Sequence, residues 1–547
     1  MHRHLRSFAF IFLTVVFLSA CSKVPDNARY IPKDAVAVAG INLKSLSKKI
    51  AWNMITGSKL FKEIQKRMPH TNAKDAMNGI EKAGLDISST FYIYVKTDTR
   101  FKSGNRVTGL IPLADAAQWE AYVKQVFPQA QITQHGDRKE ASLGLDMYVG
   151  WNKDLLVMIN VMAENDSEPG DSTGQPAAGD ISAELDNTFN MPKENAITGN
   201  IRFTGLEAEG HDLSFWLNYG QLLTQYSGDM ADKMGGVTLS NTLWKDAAFT
   251  SGFDFKKGKI TGDMRYYLPE EMNEVGKEFG AVNVDKDMLD RLPGQNMDMI
   301  MALHLAPKGV KSLLEKTGLL GLANVGLATQ NMTTDYILEA VTGDMAIIMN
   351  DFSLTSETVM DSFMGQMVPH KNQKPGLSMS YVIKINNKEN FKKIMDLAGA
   401  SGLQRTTGGY LVPINDKDSV YLIMNDQYAI VSNKRTYADG FLNNTLKQKM
   451  PDFASSQVYG HPMSLYFDIQ QFFKNIDPAA ANTPQDSVMV AESRRLLSNV
   501  AITGGQFKNS AYEFHLDINF ANTDENSLIQ LIDFGMRMSD ADKVAKQ

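Results

Sequence analysis

Two stretches of sequence, IPKDAVAVAGINLKSL at residues 31–46 and LPGQNMDMIMALHLAP at residues 292–307, share one pattern and decide the fold. In each stretch a proline precedes a run of alternating apolar residues, which is typical of a half-buried β-strand. The strand is followed by residues at helical spacing, including Leu43-Lys-Ser-Leu46 in the first stretch and Lys311-Ser-Leu313 after the second. A unit that recurs in one chain indicates an internal repeat.

Three further segments recur in the same order in the two halves of the chain. They are a strand with an amphipathic helix (107–127 and 380–395), a hairpin that turns at Asn152 or Asn425 (147–160 and 420–433), and a strand followed by a pair of strands (213–222 with 249–267, and 463–472 with 501–519). We predict an α+β fold with two related lobes from an internal duplication, mainly antiparallel sheets, and helices packed on one face. The alternative is a chance alignment of ordinary strand–helix units.

The repeat also predicts where the lobes lie. The first lobe is expected at 30–285, the second at 290–525, and a C-terminal helix and tail at 526–547. Residues 163–180 carry five acids, no base and no large apolar residue. We predict a disordered loop there, because such a composition buries too little apolar surface to offset the entropy of ordering. A calcium site is the alternative, but the ligand spacing of an EF-hand is absent.

The N-terminus has the pattern of an export signal. Arg3 and Arg6 precede an apolar run that is too short to span a bilayer, and Leu18-Ser-Ala-Cys21 follows. This end resembles the bacterial lipobox, in which the cysteine becomes the lipidated first residue. Cys21 is also the only cysteine in the chain. We therefore predict a signal peptide at 1–20 and a lipidated tether at 21–29, with a leader that contains a chance cysteine as the alternative.

Charge and composition exclude some classes of function. The chain has 547 residues, with 55 basic against 62 acidic side chains and a net charge of −7. We expect no nucleic-acid partner, because binding to phosphates requires clustered cations. A hydrophobic fraction of 43% predicts a globular protein rather than a disordered one.

Motifs for catalysis and metal binding are missing from the sequence. The fingerprints of common hydrolases, nucleotide-binding proteins and zinc proteases do not occur. Ser45-Leu-Ser-Lys48, Ser103-Gly-Asn105 and Lys316-Thr-Gly318 imitate those of penicillin-recognising enzymes, but Gly318 is expected to end a helix rather than to lie on a strand. His304 and His515, in predicted strands, have no second histidine two or four residues further on, and a solvated or core position is the expected interpretation of each. We predict no catalytic residue, cofactor or metal site, and five tryptophans that either form a sugar platform or fill the core.

The sequence from Cys21 through Tyr30-Ile-Pro-Lys-Asp-Ala-Val-Ala-Val-Ala-Gly-Ile-Asn-Leu-Lys-Ser-Leu46 resembles lipoproteins of the Bacteroidetes in the domain-of-unknown-function family four-eight-three-six. The resemblance implies an exported, anchored α+β protein and transfers no site residues. Because no Asp follows Cys21, bacterial sorting rules favour an outer-membrane lipoprotein that faces the periplasm, with the cell surface as the alternative.

We predict a non-enzymatic binding or assembly module of the cell envelope, whose partners are the membrane, through its lipid anchor, and an envelope protein or ligand. The alternatives are a carrier of lipid or another hydrophobic ligand, which requires an apolar cavity, and an envelope hydrolase, which requires two buried acids with raised or split pKa values in one cleft.

Overall fold

A computed structural model describes most of the chain: residues 24–50, 82–96, 106–144, 147–161, 178–222, 244–363, 366–400, 404–406, 409–413, 419–477, 480 and 484–544. The chain divides into two compact units. The first comprises residues 1–219 and 249–254, and the second comprises residues 220–248 and 255–547.

The first unit contains short strands and short helices. Its strands are β1 (Ala37–Asn42), β2 (Thr90–Lys96), β3 (Arg106–Pro112), β4 (Thr133–His135), β5 (Arg138–Gly144), β6 (Met147–Trp151), β7 (Leu155–Val161), β8 (Leu213–Leu217) and β9 (Ala248–Lys256), of which 249–254 belong to this unit. Its helices are α1 (Leu43–Leu46), α2 (Ala116–Val126), α3 (Ala178–Phe189) and α4 (Ile201–Glu209), with a 3-10 helix at Asp26–Tyr30.

These strands form one antiparallel sheet in the order β9–β8–β1–β2–β3–β7–β6–β5–β4. The tight β6–β7 turn is closed by Asn152, whose side-chain oxygen accepts hydrogen bonds from the backbone amides of Asp154 and Leu155, both at 2.9 Å. Asparagine is favoured here because its side chain bonds to the backbone two and three residues ahead.

The second unit has the same kinds of elements. Its strands are β10 (Lys259–Tyr267), β11 (Met297–His304), β12 (Val341–Phe363), β13 (Gln366–Ile385), β14 (Gln404–Thr406), β15 (Gly409–Pro413), β16 (Ser419–Met424), β17 (Tyr428–Ser432), β18 (Met463–Asp468), β19 (Leu497–Lys508) and β20 (Ala511–Phe520). Its helices are α5 (Asn273–Gly280), α6 (Lys286–Leu289), α7 (Pro307–Lys316), α8 (Leu320–Ala328), α9 (Thr334–Glu339), α10 (Lys388–Ala400), α11 (Arg435–Leu442), α12 (Asp452–Val458), α13 (Ile469–Lys474), α14 (Pro484–Leu496) and α15 (Ser527–Val544).

The second sheet is also antiparallel, in the order β10–β20–β19–β18–β11–β12–β13–β17–β16–β15–β14. Its two longest strands, β12 and β13, pair with β11 and β17 only near residues 344–350 and 380–384. Beyond those residues they pair with each other, from Ser353 with Gly376 to Phe363 with Gln366. Apart from one bridge between Leu354 and Ile476, this part of the hairpin is therefore a two-stranded ribbon.

The main core of the second unit lies between its sheet and several helices. Ile300, Ile348 and Ile430, from β11, β12 and β17, are fully buried against Phe441 of α11 and Val458 of α12. The ring of Phe441 meets that of Tyr428 edge to face, with centroids 5.3 Å apart. The helices are amphipathic, so burial of their apolar stripes against the sheet stabilises this unit.

The structure confirms a mixed fold of helices and antiparallel strands. It divides the chain earlier than the predicted boundary between 285 and 290, because residues 255–285 belong to the second unit. Of the predicted loop at 163–180, residues 162–177 lie outside the described part of the chain, and the prediction is wrong for residues 178–180, which begin α3. The Asn152 and Asn425 turns lie where the sequence predicts them, between β6 and β7 and between β16 and β17.

Replacement of the buried ring of Phe441 provides a test of this core. We expect Phe441→Ala to lower the free energy of unfolding of the second unit by about 3 to 5 kcal/mol, through lost burial and the cavity left behind. Guanidinium titration followed by circular dichroism measures the change. Phe453→Ala on α12 is the matched control, because its side chain is 49% exposed. An equal loss in both variants would contradict this position of the core.

Candidate functional site

One row of residues across the first sheet leaves room for polar side chains. Gly40 of β1 lies opposite Tyr92 of β2 and Ser214 of β8, and Ser214 lies opposite Gly252 of β9. A Cβ atom on Gly40 would lie 2.3 Å from the hydroxyl oxygen of Ser214, and one on Gly252 would lie 1.9 Å from the ring of His211. Both glycines are therefore needed by the side chains that pass over them.

Helix α4 lies over this row. Asn200 caps its first turn by accepting hydrogen bonds from the amides of Arg202 and Phe203, at 3.0 and 3.3 Å. The fully buried ring of Phe203 packs near Tyr92 and Trp216, with centroids 6.4 and 6.3 Å away. Gly210 ends the helix in the left-handed conformation, with φ of 71°. These contacts place Glu207 above the row and bring His211 over Gly252.

Glu207 is a buried carboxyl group with two hydroxyl partners. Its side chain accepts a hydrogen bond from Ser214 at 2.6 Å and another from the hydroxyl of Tyr92. Burial raises the pKa of Glu207 above its ordinary value, while the two hydroxyl donors and the nearby His211 act in the opposite direction. A carboxyl group of raised pKa beside a cavity is a recognised sign of a functional site.

His211 lies between two carboxylates. Its Nδ1 atom is 3.0 Å from Asp254, and its Nε2 atom is 3.0 Å from Glu209. The hydrogen bonds that the imidazole donates to Glu209 and to Asp254 outweigh partial burial and raise the pKa of His211 to about 9. The imidazole is therefore a cation at neutral pH, and its charge is balanced by its two neighbours.

Asp212 links the end of β1 to the same region. Its fully buried side chain accepts a hydrogen bond from the hydroxyl of Ser45 at 2.6 Å and pairs with Lys49. Asn42, at the end of β1, caps α1 by accepting a hydrogen bond from the amide of Ser45 at 3.0 Å. This arrangement fixes one wall of the cavity described next.

A cavity of about 810 Å³ opens at the end of the first sheet where β1 and β3 finish and β2, β7 and β8 begin. The 3-10 helix at 26–30 and the end of α4 complete its walls. Most of the lining side chains can form hydrogen bonds: Asp26, Asn27, Arg29, Tyr30, Asn42, Lys44, Ser88, Ser89, Thr90, Asp154, Glu207, His211 and Ser214. Its volume lies in the range of ligand pockets in proteins.

The second unit also contains perturbed carboxyl groups, but they maintain its sheet. Asp298 is completely buried, and burial raises its pKa to about 6. It accepts a hydrogen bond from the amide of Phe352 at 2.8 Å, where both β11 and β12 depart from regular register. The pKa of the nearby Asp351 is lowered to about 2 because Lys434, Asn296 and Tyr437 donate to it against partial burial. Asp298 and Asp351 therefore stabilise the bulge at which β11 and β12 depart from regular register.

The residues singled out from sequence have the following places in the described part of the chain. Ser45 bonds to Asp212, whereas Lys316 ends α7 and Gly318 follows it with φ of 74°, which confirms the predicted helix end. Ser103–Asn105, Trp52 and the lipidation candidate Cys21 lie outside the described residues. His304 pairs with Asp344 at 2.8 Å, and His515 pairs with Asp263 at 2.8 Å.

Three tryptophans, Trp119, Trp151 and Trp216, are 5% exposed or less, so their core interpretation is confirmed. Within the described ranges, no group of three or more His, Cys, Asp or Glu side chains could hold a metal ion. No helix in the same part of the chain is long and apolar enough to cross a membrane.

Sequence reasoning missed Tyr92, Glu207 and His211 because they come from separate parts of the chain. One signal was available. A glycine inside a strand marks a place where another group approaches closely, and both Gly40 and Gly252 are such glycines. This signal does not identify the side chains that approach the two glycines.

Comparison with known proteins gives little further information. No family model matches the sequence, and neither does any curated protein. Similar solved structures include crystal forms I, III and IV of TP0453, with TM-scores of 0.24, 0.25 and 0.25 and sequence identities of 9%, 10% and 11%. The matches cover 45%, 45% and 44% of this chain and 79%, 80% and 81% of those chains.

The charge on His211 predicts how the stability of the first unit depends on pH. Because its folded pKa of about 9 lies above the ordinary 6.5, the stabilisation is fully present below pH 6.5 and is lost as the pH rises through 9. Relative to His211→Gln, we expect an advantage of about 2 kcal/mol at pH 6, after allowance for solvent screening, and little advantage at pH 10. Urea titrations followed by tryptophan fluorescence measure it.

His515→Gln is the control for this experiment, because the His515 side chain is 44% exposed and pairs with Asp263 on the surface. Surface pairs of this kind contribute about 0 to 1 kcal/mol. An advantage of native His211 that grows as the pH rises would contradict the proposed ion pairs.

Proposed function

We propose that this protein is an exported, lipid-anchored module of the bacterial cell envelope, in the outer membrane facing the periplasm, that binds a polar ligand in the pocket of its first unit. The resemblance of Leu18-Ser-Ala-Cys21 to the bacterial lipobox supports the anchor. The observation that carries the binding function is the cavity of about 810 Å³ beside Glu207, a buried carboxyl group of raised pKa. The envelope protein predicted as a partner remains a second proposal.

We also propose that the two units descend from a duplication. Nine strands of the second sheet have the same order as the nine strands of the first sheet. Adding ten to each strand number of the first sheet gives the order in the second, β19–β18–β11–β12–β13–β17–β16–β15–β14. The amide of Asn42 bonds to the carbonyl of Asp212 at 2.9 Å, and that of His304 bonds to the carbonyl of Pro462 at 2.7 Å.

Cap and turn residues support the same proposal. Asp115 caps α2 by accepting hydrogen bonds from the amides two and three residues ahead, and Asn387 caps α10 in the same way. Asn425 closes the β16–β17 turn with the bonds that Asn152 makes between β6 and β7. Agreement in strand order, cap and turn is expected for two copies of one unit.

The equivalent row in the second unit supports a functional role for the pocket. Ala302 lies opposite Ala346 and Ser464, as Gly40 lies opposite Tyr92 and Ser214. Ala302, Ala346 and Val458 belong to one apolar core. The fold is therefore compatible with a row of two alanines and a serine at this place, so the buried carboxyl group of the first unit is not a requirement of the fold.

The two alternatives have less support. A lipid carrier requires an apolar lining, whereas this cavity is lined mainly by polar side chains. A hydrolase of the predicted kind requires a second buried acid in the cleft, but Asp26 is exposed and the Asp154 side chain is 74% exposed. Binding without catalysis is therefore the function that this pocket supports best.

Native mass spectrometry of the full-length chain, purified from its own envelope, tests the binding function. We expect an added mass that Ser88→Trp removes, because residue 88 is exposed and lines the pocket, where an indole ring would occupy space that the ligand needs. Ser142→Trp, at an exposed position of β5 that does not line the pocket, is the matched control and should retain the added mass. Purification without any bound mass, or equal binding by both variants, would contradict the proposal.

The anchor is tested separately. We expect the wild-type chain to partition with outer membranes and Cys21→Ala to be found in the soluble fraction, because the acyl chains supply the membrane affinity. Fractionation and metabolic labelling with an alkynyl fatty acid measure both properties. Labelling that persists in Cys21→Ala would exclude this cysteine as the attachment site.

A further inference from the structure

The charged groups around the pocket of the first unit offer no cluster of cations to a ligand. At its rim the cations Arg29 and Lys44 stand against the anions Asp26 and Asp154. Deeper in the pocket, His211 lies between the two carboxylates of Glu209 and Asp254, so its charge is not available to an anionic ligand. A phosphorylated or strongly anionic ligand requires clustered cations, and a cationic ligand requires an excess of acids. The electrostatics therefore disfavour a phosphorylated or strongly anionic ligand, and the choice of a neutral ligand rests on the hydrogen-bonding groups of the lining.

The hydrogen-bonding groups of the lining offer donors and acceptors side by side. Ser88 and Ser89 donate their hydroxyl hydrogens to Asp86, which leaves their oxygens as acceptors. Asn27 donates its amide hydrogen to the carbonyl of Thr90 at 2.8 Å, which leaves its side-chain carbonyl as an acceptor. Lys44 and Arg29 supply N–H donors. A mixed lining suits hydroxyl groups, since each hydroxyl both donates and accepts.

An extended peptide is less compatible with this site. The strands whose ends form the pocket, namely β1, β2, β3, β7 and β8, are each paired on both edges. A peptide therefore cannot add a strand here, which is the usual way in which a sheet binds extended chains. The apolar side chains in the lining, Pro25, Pro112, Leu155 and Leu206, are few, as expected for a ligand with small apolar faces between its hydroxyl groups.

The pocket is also close in sequence to the proposed anchor. Pro25, the first lining residue, follows Cys21 by four positions. Because an extended chain spans at most about 3.6 Å per residue, this segment keeps Pro25 within about 15 Å of a lipidated Cys21. A ligand bound in this cavity is thereby held near the membrane surface.

We propose that this pocket binds a neutral saccharide at the membrane surface, either a free oligosaccharide or the headgroup of a neutral glycolipid. The inference rests on the proposed binding function and narrows it to one ligand class. The ligand's hydroxyl groups occupy the mixed donors and acceptors of the lining. The balanced rim charges disfavour phosphorylated competitors.

Isothermal titration of the full-length lipidated chain in detergent tests the free saccharides, with maltotetraose, mannotetraose and the tetramer of N-acetylglucosamine as probes. We expect at least one to bind, with Kd raised at least tenfold in Ser88→Trp and unchanged in Ser142→Trp. Because the ligand is neutral, Kd should change less than about twofold between roughly 0.05 and 0.5 M salt.

A second arm distinguishes the source of the saccharide. Vesicles of phosphatidylcholine with and without digalactosyldiacylglycerol are incubated with the chain, and co-sedimentation is measured beyond that caused by the acyl anchor. A glycolipid-dependent increase that Ser88→Trp abolishes assigns the headgroup as ligand. Binding of the free tetrasaccharides alone assigns a soluble oligosaccharide.

The results that would contradict the saccharide assignment differ from those that would contradict the binding function. If none of these probes binds, or if inorganic phosphate or palmitate competes for the pocket, the saccharide assignment is wrong. A bound mass that Ser88→Trp removes would then leave the broader binding function intact. If the chain purified from its envelope carries no bound mass and no probe binds, both proposals are wrong.

Discussion

The first unit depends on a steric constraint at Gly40. Backbone pairing on both edges of β1 fixes Tyr92 and Ser214 beside this position, and a Cβ atom there would lie 2.3 Å from the hydroxyl of Ser214. Without that side chain, both hydroxyls can reach the carboxyl group of Glu207. Their hydrogen bonds offset part of the cost of removing a carboxyl group from water. The polar row, the seat of α4 and one wall of the pocket all follow from this arrangement.

Regular elements could be predicted from the sequence because their signals are local. Alternating apolar residues predicted β1 and β11, and asparagine predicted the turns before Leu155 and Tyr428. The long ribbon of β12 and β13 could not be predicted in the same way, since none of the side chains at 353–360 and 372–377 is buried, and no buried face there imposes alternation. Its Met360 and Met367 side chains are 54% and 62% exposed. Prolines at 369 and 375 withhold donors from its edge, which limits pairing with other chains.

The pocket could not be predicted because it is assembled over long distances in the chain. Glu207 is 115 residues from Tyr92, and Lys49 is 163 residues from its partner Asp212. The sequence between such residues carries no mark of the pairing, which is set only by strand register. Conversely, motifs that looked chemical in sequence had ordinary structural roles: Ser45 positions α1, and the segment at Lys316 is a helix end.

The contrast between the two units separates what the sheet requires from what the site requires. In the second unit the row holds Ala302, Ala346 and Ser464, whose hydroxyl donates to the carbonyl of Val458 at 3.2 Å, and the burial of its alanines contributes stability without a buried carboxyl group in the row. The first unit has instead a buried carboxyl group whose ionised form is opposed by burial. Selection for stability alone favours the apolar solution, because a buried charge needs partners that an alanine does not. The polar row is therefore explained best by a ligand in the cavity that it borders.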